Sequence, residues 1–260
     1  MLHLDRLTRR YAGLLAVDAV TLDIPAGGVH ALVGPNGAGK TTLFNMVSGL
    51  VVPSSGRVLL DGADLTKLPP EQRARAGIGR TFQAIRLFPD LTVRETAMAG
   101  VRTRTGPIRA ILGRGGTEAK AIRARAEATL DRAGLARETF DRIATTLSYG
   151  DQRRLEIARA LVANPRLLLL DEPAAGMNPN ETARLGKLVR GIAADGVTVL
   201  LVEHDMGFVM GISDTLTVLS FGRLIFHGRP EAGRCEPCVV EAYLGHKLAA
   251  QLAQPQLVGD

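Results

Sequence analysis

The sequence predicts an α/β protein with a mostly parallel sheet, an N-terminal antiparallel β subdomain and an inserted helical subdomain. Three observations carry that prediction. Near-continuous apolar runs at 29–33, 167–170, 197–202 and 216–219 have the Val- and Leu-rich character of strands buried on both faces. Helical periodicity alternates with these runs, as it does in Leu185, Leu188, Val189 and Ile192, which follow the i, i+3, i+4, i+7 spacing. The first 25 residues differ from both. There Val20, Leu22 and Ile24 alternate with Thr21 and Asp23, the period of a half-buried strand.

The elements follow in order. Residues 58–60 read as a second strand of the antiparallel sheet, ending in the Asp61-Gly62 turn. A helix is expected over 41–48. Residues 86 to about 165 lose the strand rhythm and read as mostly helical, with a glycine-rich interruption at 113–116. The helix over 181–194 has a well-marked start. Asn178 can cap it, Pro179 suits its first position, and Glu181 lies three residues after the cap. One domain is expected over 1–246, with the helical subdomain at about 86–165 and a flexible tail at 247–260.

Composition excludes several classes. The chain has 260 residues, 46% hydrophobic and 22% charged, which is ordinary globular usage and rules out disorder, collagen and disulfide scaffolds. No apolar run approaches the roughly 18 residues of a membrane span, and no secretory leader is expected. Two cysteines in a chain this long suit a reducing, cytoplasmic compartment. The net charge of +6 is local, because segment 102–125 holds seven basic residues against Glu118. That segment reads as a solvated, Arg-rich loop and helix. No aromatic residue lies in it to stack on bases, so no nucleic-acid partner is expected.

Two motifs point to nucleotide chemistry. Gly34-Pro35-Asn36-Gly37-Ala38-Gly39-Lys40-Thr41 is a phosphate loop set between a strand and a helix. Its glycines let backbone N–H groups curl around phosphate oxygens, and the helix N-terminus adds partial positive charge. Lys40 would reach the β- and γ-phosphates, and the Thr41 hydroxyl would ligate Mg²⁺. The second motif is four leucines ending in Asp171-Glu172, which places two carboxylates at the carboxyl edge of a sheet, where α/β ligand sites lie. Asp171 is expected to hold Mg²⁺ through water and Glu172 to polarise the water that attacks the γ-phosphate. The core is therefore that of a P-loop NTPase.

The family signal is Leu147-Ser148-Tyr149-Gly150-Asp151-Gln152, with Ser148 as N-cap and Asp151 in capping-box position. It resembles the signature of ABC transporter ATP-binding subunits, Leu-Ser-Gly-Gly-Gln, and the resemblance spans about residues 2–246. It implies that Tyr11 stacks on adenine and that Gln83 senses Mg²⁺ and the attacking water. His204 becomes the switch histidine on the γ-phosphate, and Thr42 joins the nucleotide contacts. It also implies a head-to-tail pair of ATP-binding subunits, in which Ser148 and Gly150 of one chain close over ATP held by the other.

Tyr149 and Asp151 depart from the signature, and Asn178 stands where the family commonly has aspartate; a helix-capping role accounts for Asn178. These departures resemble one of the two ATPases of branched-chain amino acid importers, as do the runs 171–179 and 203–206 and the ending 240–245. The resemblance implies a partner ATPase, two transmembrane permease subunits and a periplasmic solute-binding protein. It places the chain on the cytoplasmic face of a bacterial inner membrane. Competing readings are the ATPase of a lipopolysaccharide exporter and a soluble nucleic-acid-linked ATPase. The pair Cys235 and Cys238 lies outside the resemblance and reads as structural.

Overall fold

The computed structural model describes residues 1–101 and 116–244. The expected tail at 247–260 and most of the 113–116 interruption lie outside these residues, as does much of the basic segment. The chain opens with β1 (Leu2–Tyr11), β2 (Leu14–Ile24), β3 (Val29–Val33), α1 (Lys40–Ser48), β4 (Ser55–Leu60) and β5 (Ala63–Asp64). Next come α2 (Pro70–Arg75), β6 (Ile78–Arg80), α3 (Val93–Met98), α4 (Gly116–Arg132) and α5 (Tyr149–Leu161). They lead into β7 (Leu167–Asp171), α6 (Pro179–Ala194) and β8 (Thr198–Val202). The described chain closes with α7 (Met206–Ile212), β9 (Thr215–Ser220), β10 (Arg223–Gly228), α8 (Pro230–Cys235) and α9 (Pro237–Leu244).

Two compact units divide these elements. The first takes residues 1–25, 29–69 and the described residues from 202 onward; the second takes 26–28 and 70–201. In the first unit an antiparallel sheet runs in the order β2–β1–β4–β5. Leu2, Leu4 and Leu7 of β1 stand opposite Ile24, Leu22 and Val20 of β2, and all six are buried. The alternation in the sequence thus becomes one apolar sheet face. The same unit holds β10–β9–β3, with β3 and β9 parallel and β9 and β10 antiparallel. All five residues of β3 are buried, and Leu43, Phe44, Met46 and Val47 of α1 are buried with them.

The second unit has strands in the order β8–β7–β6, with β6 and β7 parallel. Every residue of β7 and β8 is buried, which is why both read as unbroken apolar runs. Helices α3, α4 and α5 pack against one another, and two single 3₁₀ turns, Arg137–Thr139 and Ala144–Thr146, join α4 to α5. The start of α6 is as the sequence predicts. Asn178 Oδ1 accepts the Glu181 N–H at 3.0 Å, and a Glu181 carboxylate oxygen accepts the Asn178 N–H at 3.0 Å. Such a cap is worth about 1 kcal/mol. Among the described residues, no helix is long and apolar enough to cross a membrane.

Candidate functional site

In the first unit the loop from Gly34 to Gly39 joins β3 to α1. Gly39 has φ 98°, and a Cβ there would lie 2.4 Å from the Ala16 carbonyl, so only glycine fits. At Gly34 a Cβ would meet the Leu219 carbonyl at 2.2 Å. The Gly222 N–H also donates to the Ala38 carbonyl at 3.0 Å, fastening the β9–β10 turn to the loop. Among the described residues no side chain caps the start of α1, and its first turn carries no acid. Its N-terminal N–H groups and the helix dipole therefore suit an anion. Lys40 is buried, and its Nζ donates to the carbonyls of Gly34 at 2.7 Å and Pro35 at 3.0 Å. An ammonium and a set of helix-start amides thus share one loop. Thr41 is exposed and Thr42 half-buried; Asn36 and Gly37 are exposed at the crest.

The first unit also carries His204 and Tyr11. His204 is exposed just beyond β8, and its N–H donates to the Glu203 carboxylate at 3.1 Å. Asp205 caps α7 by accepting the Phe208 N–H at 3.1 Å. Tyr11 ends β1, and the Arg9 guanidinium lies 4.4 Å from its ring centroid. The ring quadrupole attracts a cation placed over its face.

In the second unit β7 delivers Asp171 and Glu172. Burial pushes the Asp171 carboxyl above its ordinary value, Arg80 opposes that shift, and the Glu172 charge adds to it. The Arg80 guanidinium bonds Asp171 at 3.1 Å, because β6 pairs Arg80 with Leu169 of β7. Glu172 has φ 45°, a left-handed conformation costing about 1–2 kcal/mol for a residue with a side chain. Gln83, in the loop after β6, donates its Nε2–H to Glu172 at 2.8 Å. The second unit thus joins Gln83, Asp171 and Glu172.

The donor chemistry suits Mg²⁺. In the second unit Gln83 and Asp171 offer oxygen donors of the kind Mg²⁺ takes, and in the first unit Thr41 offers a hydroxyl; Mg²⁺ is commonly held by one or two carboxylates together with substrate phosphates rather than by a protein cage. Among the described residues, no group of three or more His, Cys, Asp or Glu could hold a metal.

Ser148 caps α5, accepting the Asp151 N–H at 3.2 Å. The expected reciprocal bond differs. The Asp151 carboxylate accepts the Ser148 hydroxyl at 2.9 Å and pairs with Arg154, because a side chain one methylene shorter than glutamate reaches the hydroxyl instead of the cap N–H. Ser148 is exposed, whereas Gly150 is buried. A Cβ on Gly150 would meet a Glu181 carboxylate oxygen at 2.7 Å.

The family described as "ABC transporter" matches residues 17–175. The chain belongs to the ABC transporter family. It is 44% identical over 250 residues to the "High-affinity branched-chain amino acid transport ATP-binding protein LivG" of Escherichia coli K12, covering 94% of this chain and 98% of that protein. The E. coli K12 "Lipopolysaccharide export system ATP-binding protein LptB" is 35% identical over 92% of this chain and 95% of its own. Among solved structures, a nucleotide-free ATP-binding cassette from an ABC transporter superposes with a TM-score of 0.82 at 30% identity, covering 95% of this chain and 99% of its own. A dimeric ABC cassette bound to ADP and Pi gives 0.75 at 28% identity, covering 88% and 99%. As an ABC ATP-binding subunit, the chain is an ATPase.

Sequence reasoning missed three charged side chains of the second unit. Arg80 lies 91 residues from Asp171, and only strand pairing joins them. Arg153 and Glu156 are completely enclosed, although both are charged. The available signal was their i, i+3 spacing beside the apolar Leu155 and Ile157.

Proposed function

We propose that the chain powers uptake of branched-chain or related amino acids as an ATP-hydrolysing subunit on the cytoplasmic face of a bacterial inner membrane. The observation that carries the nucleotide reading is the uncapped N-terminus of α1 with the Lys40 ammonium enclosed in the same loop. Identity to LivG over 94% of the chain supports the importer, and the lower figure for LptB disfavours the exporter.

The loop amides of 34–39 and Lys40 bind the β- and γ-phosphates, with Thr42 beside them and Tyr11 against the adenine. Thr41, Gln83 and Asp171 would hold Mg²⁺, which would supply charge neutralisation on the phosphates. Glu172 takes a proton from the attacking water as general base. Gln83 orients that water and the Glu172 carboxylate. His204 steadies the γ-phosphate. A second ATP-binding subunit docks head to tail, so that Ser148 and Gly150 of one chain cover the nucleotide of the other, and binding that differs between open and closed states drives the cycle.

Two permease subunits and a periplasmic solute-binding protein complete the transporter. A groove of about 500 Å³ in the second unit, lined by Ile78, Phe82, Leu87, Phe88 and Ala160 among others, seats a permease segment. Phe88 stands half exposed in it, on the same loop as Gln83. The test is to purify the intact complex in lipid nanodiscs and measure its ATP turnover with candidate solutes. Leucine, isoleucine or valine with their binding protein should stimulate turnover, and a complex that answers to no amino acid would refute the substrate class.

A further inference from the structure

Resting on the roles proposed above for Gln83 and Ser148, we propose that the buried Arg153 and Glu156, with the exposed Tyr149 at their edge, form a clamp. It fastens the Gln83 loop to α5, and Arg153 is the positioning residue for Gln83. The Arg153 guanidinium donates to the carbonyls of Phe82 at 2.8 Å and of Gln83 itself at 2.7 Å. Glu156 pairs with Arg153 at 3.1 Å and accepts the Arg86 N–H at 2.9 Å. Arg159 donates to the Arg86 carbonyl at 2.7 Å. Loop 82–86 is therefore tied to one face of α5 through its backbone groups at Phe82, Gln83 and Arg86.

Tyr149 brings in a third element. Its hydroxyl lies 3.3 Å from Arg153, and its ring passes within 3.4 Å of the position a Cβ on Gly176 would take. The tyrosine that departs from the family signature thus spans from the loop after Glu172 to the guanidinium that holds Gln83.

Stability does not explain this construction. Burial raises the Glu156 carboxyl above its ordinary value despite Arg86, Arg153 and Arg159. Among the described residues, Arg153 Nε finds no hydrogen-bond partner. Buried ion pairs with such costs are commonly outdone by well-packed apolar side chains. What the clamp provides is a fixed distance between the helix that begins at Ser148 and the glutamine that touches Glu172.

The test measures ATP turnover against ATP concentration in the intact transporter for Arg153→Lys, Gln83→Ala, the double variant and a Glu172→Gln control. A lysine offers a point donor where the clamp needs a fork. Arg153→Lys should lower kcat about tenfold with KM within about twofold. In the Gln83→Ala background it should cost less than about twofold, since nothing remains to position. Tyr149→Phe, which removes only a hydroxyl, should lower kcat about two- to threefold and again be silent beside Gln83→Ala. It carries the test if Arg153→Lys does not fold.

A wild-type kcat in these variants, or losses that multiply fully with Gln83→Ala, overturns the clamp. If Glu172→Gln is dead while the clamp variants are silent, only the clamp fails. If Glu172→Gln turns over normally, the catalytic reading beneath it fails too.

Discussion

The side-chain amide of Gln83 donates to the carboxylate of Glu172 at 2.8 Å. The two residues follow adjacent parallel strands, β6 and β7, so strand pairing 89 residues apart in sequence brings them together. Glu172 has φ 45° and directly follows the buried strand β7. A neutral amide donor orients that carboxylate and leaves its charge intact.

Lys40 is expected to matter for affinity. Replacing it with alanine removes charge-assisted bonds worth about 1.5–3 kcal/mol, so ATP should bind roughly 10- to 100-fold more weakly. Titration with a fluorescent nucleotide analogue measures this, and unchanged affinity contradicts the phosphate-loop reading.

Ser148 should act on two levels. Ser148→Ala removes the α5 cap and should lower the melting temperature by about 2–4 °C. If the hydroxyl covers the partner's nucleotide as proposed, the effect on hydrolysis should be larger in the assembled complex than in the isolated chain. Equal losses in the two preparations would argue against that role.

Asn178 separates capping from catalysis. Asn178→Ala should cost about 1 kcal/mol, while Asn178→Asp, an equally good cap, should leave the unfolding midpoint nearly unmoved. Denaturant melts of both variants decide it; an aspartate variant as unstable as the alanine variant rules out simple capping.

Much of this was legible in the sequence because it is local. The phosphate loop, the caps at Ser148 and Asn178, and the apolar runs of β3, β7, β8 and β9 each depend on neighbouring residues. What escaped depends on long-range pairing. Arg80 meets Asp171 only through the β6–β7 register. Arg153 and Glu156 look like surface charges until the 82–86 backbone covers them. Tyr149 appeared as a bare departure from a signature, and its partners, Gly176 and Arg153, are placed by the turn after β7 and by one turn of α5. The Asp151 bond to the Ser148 hydroxyl likewise turns on a single methylene.

The most direct measurement is single-site turnover in Glu172→Gln. The substitution keeps the shape and the hydrogen bond to Gln83 but removes the base, so ATP affinity should persist while hydrolysis falls by about 10²-fold or more. Hydrolysis at the wild-type rate in that variant, with nucleotide bound, would contradict the assignment of Glu172 as the residue that activates water.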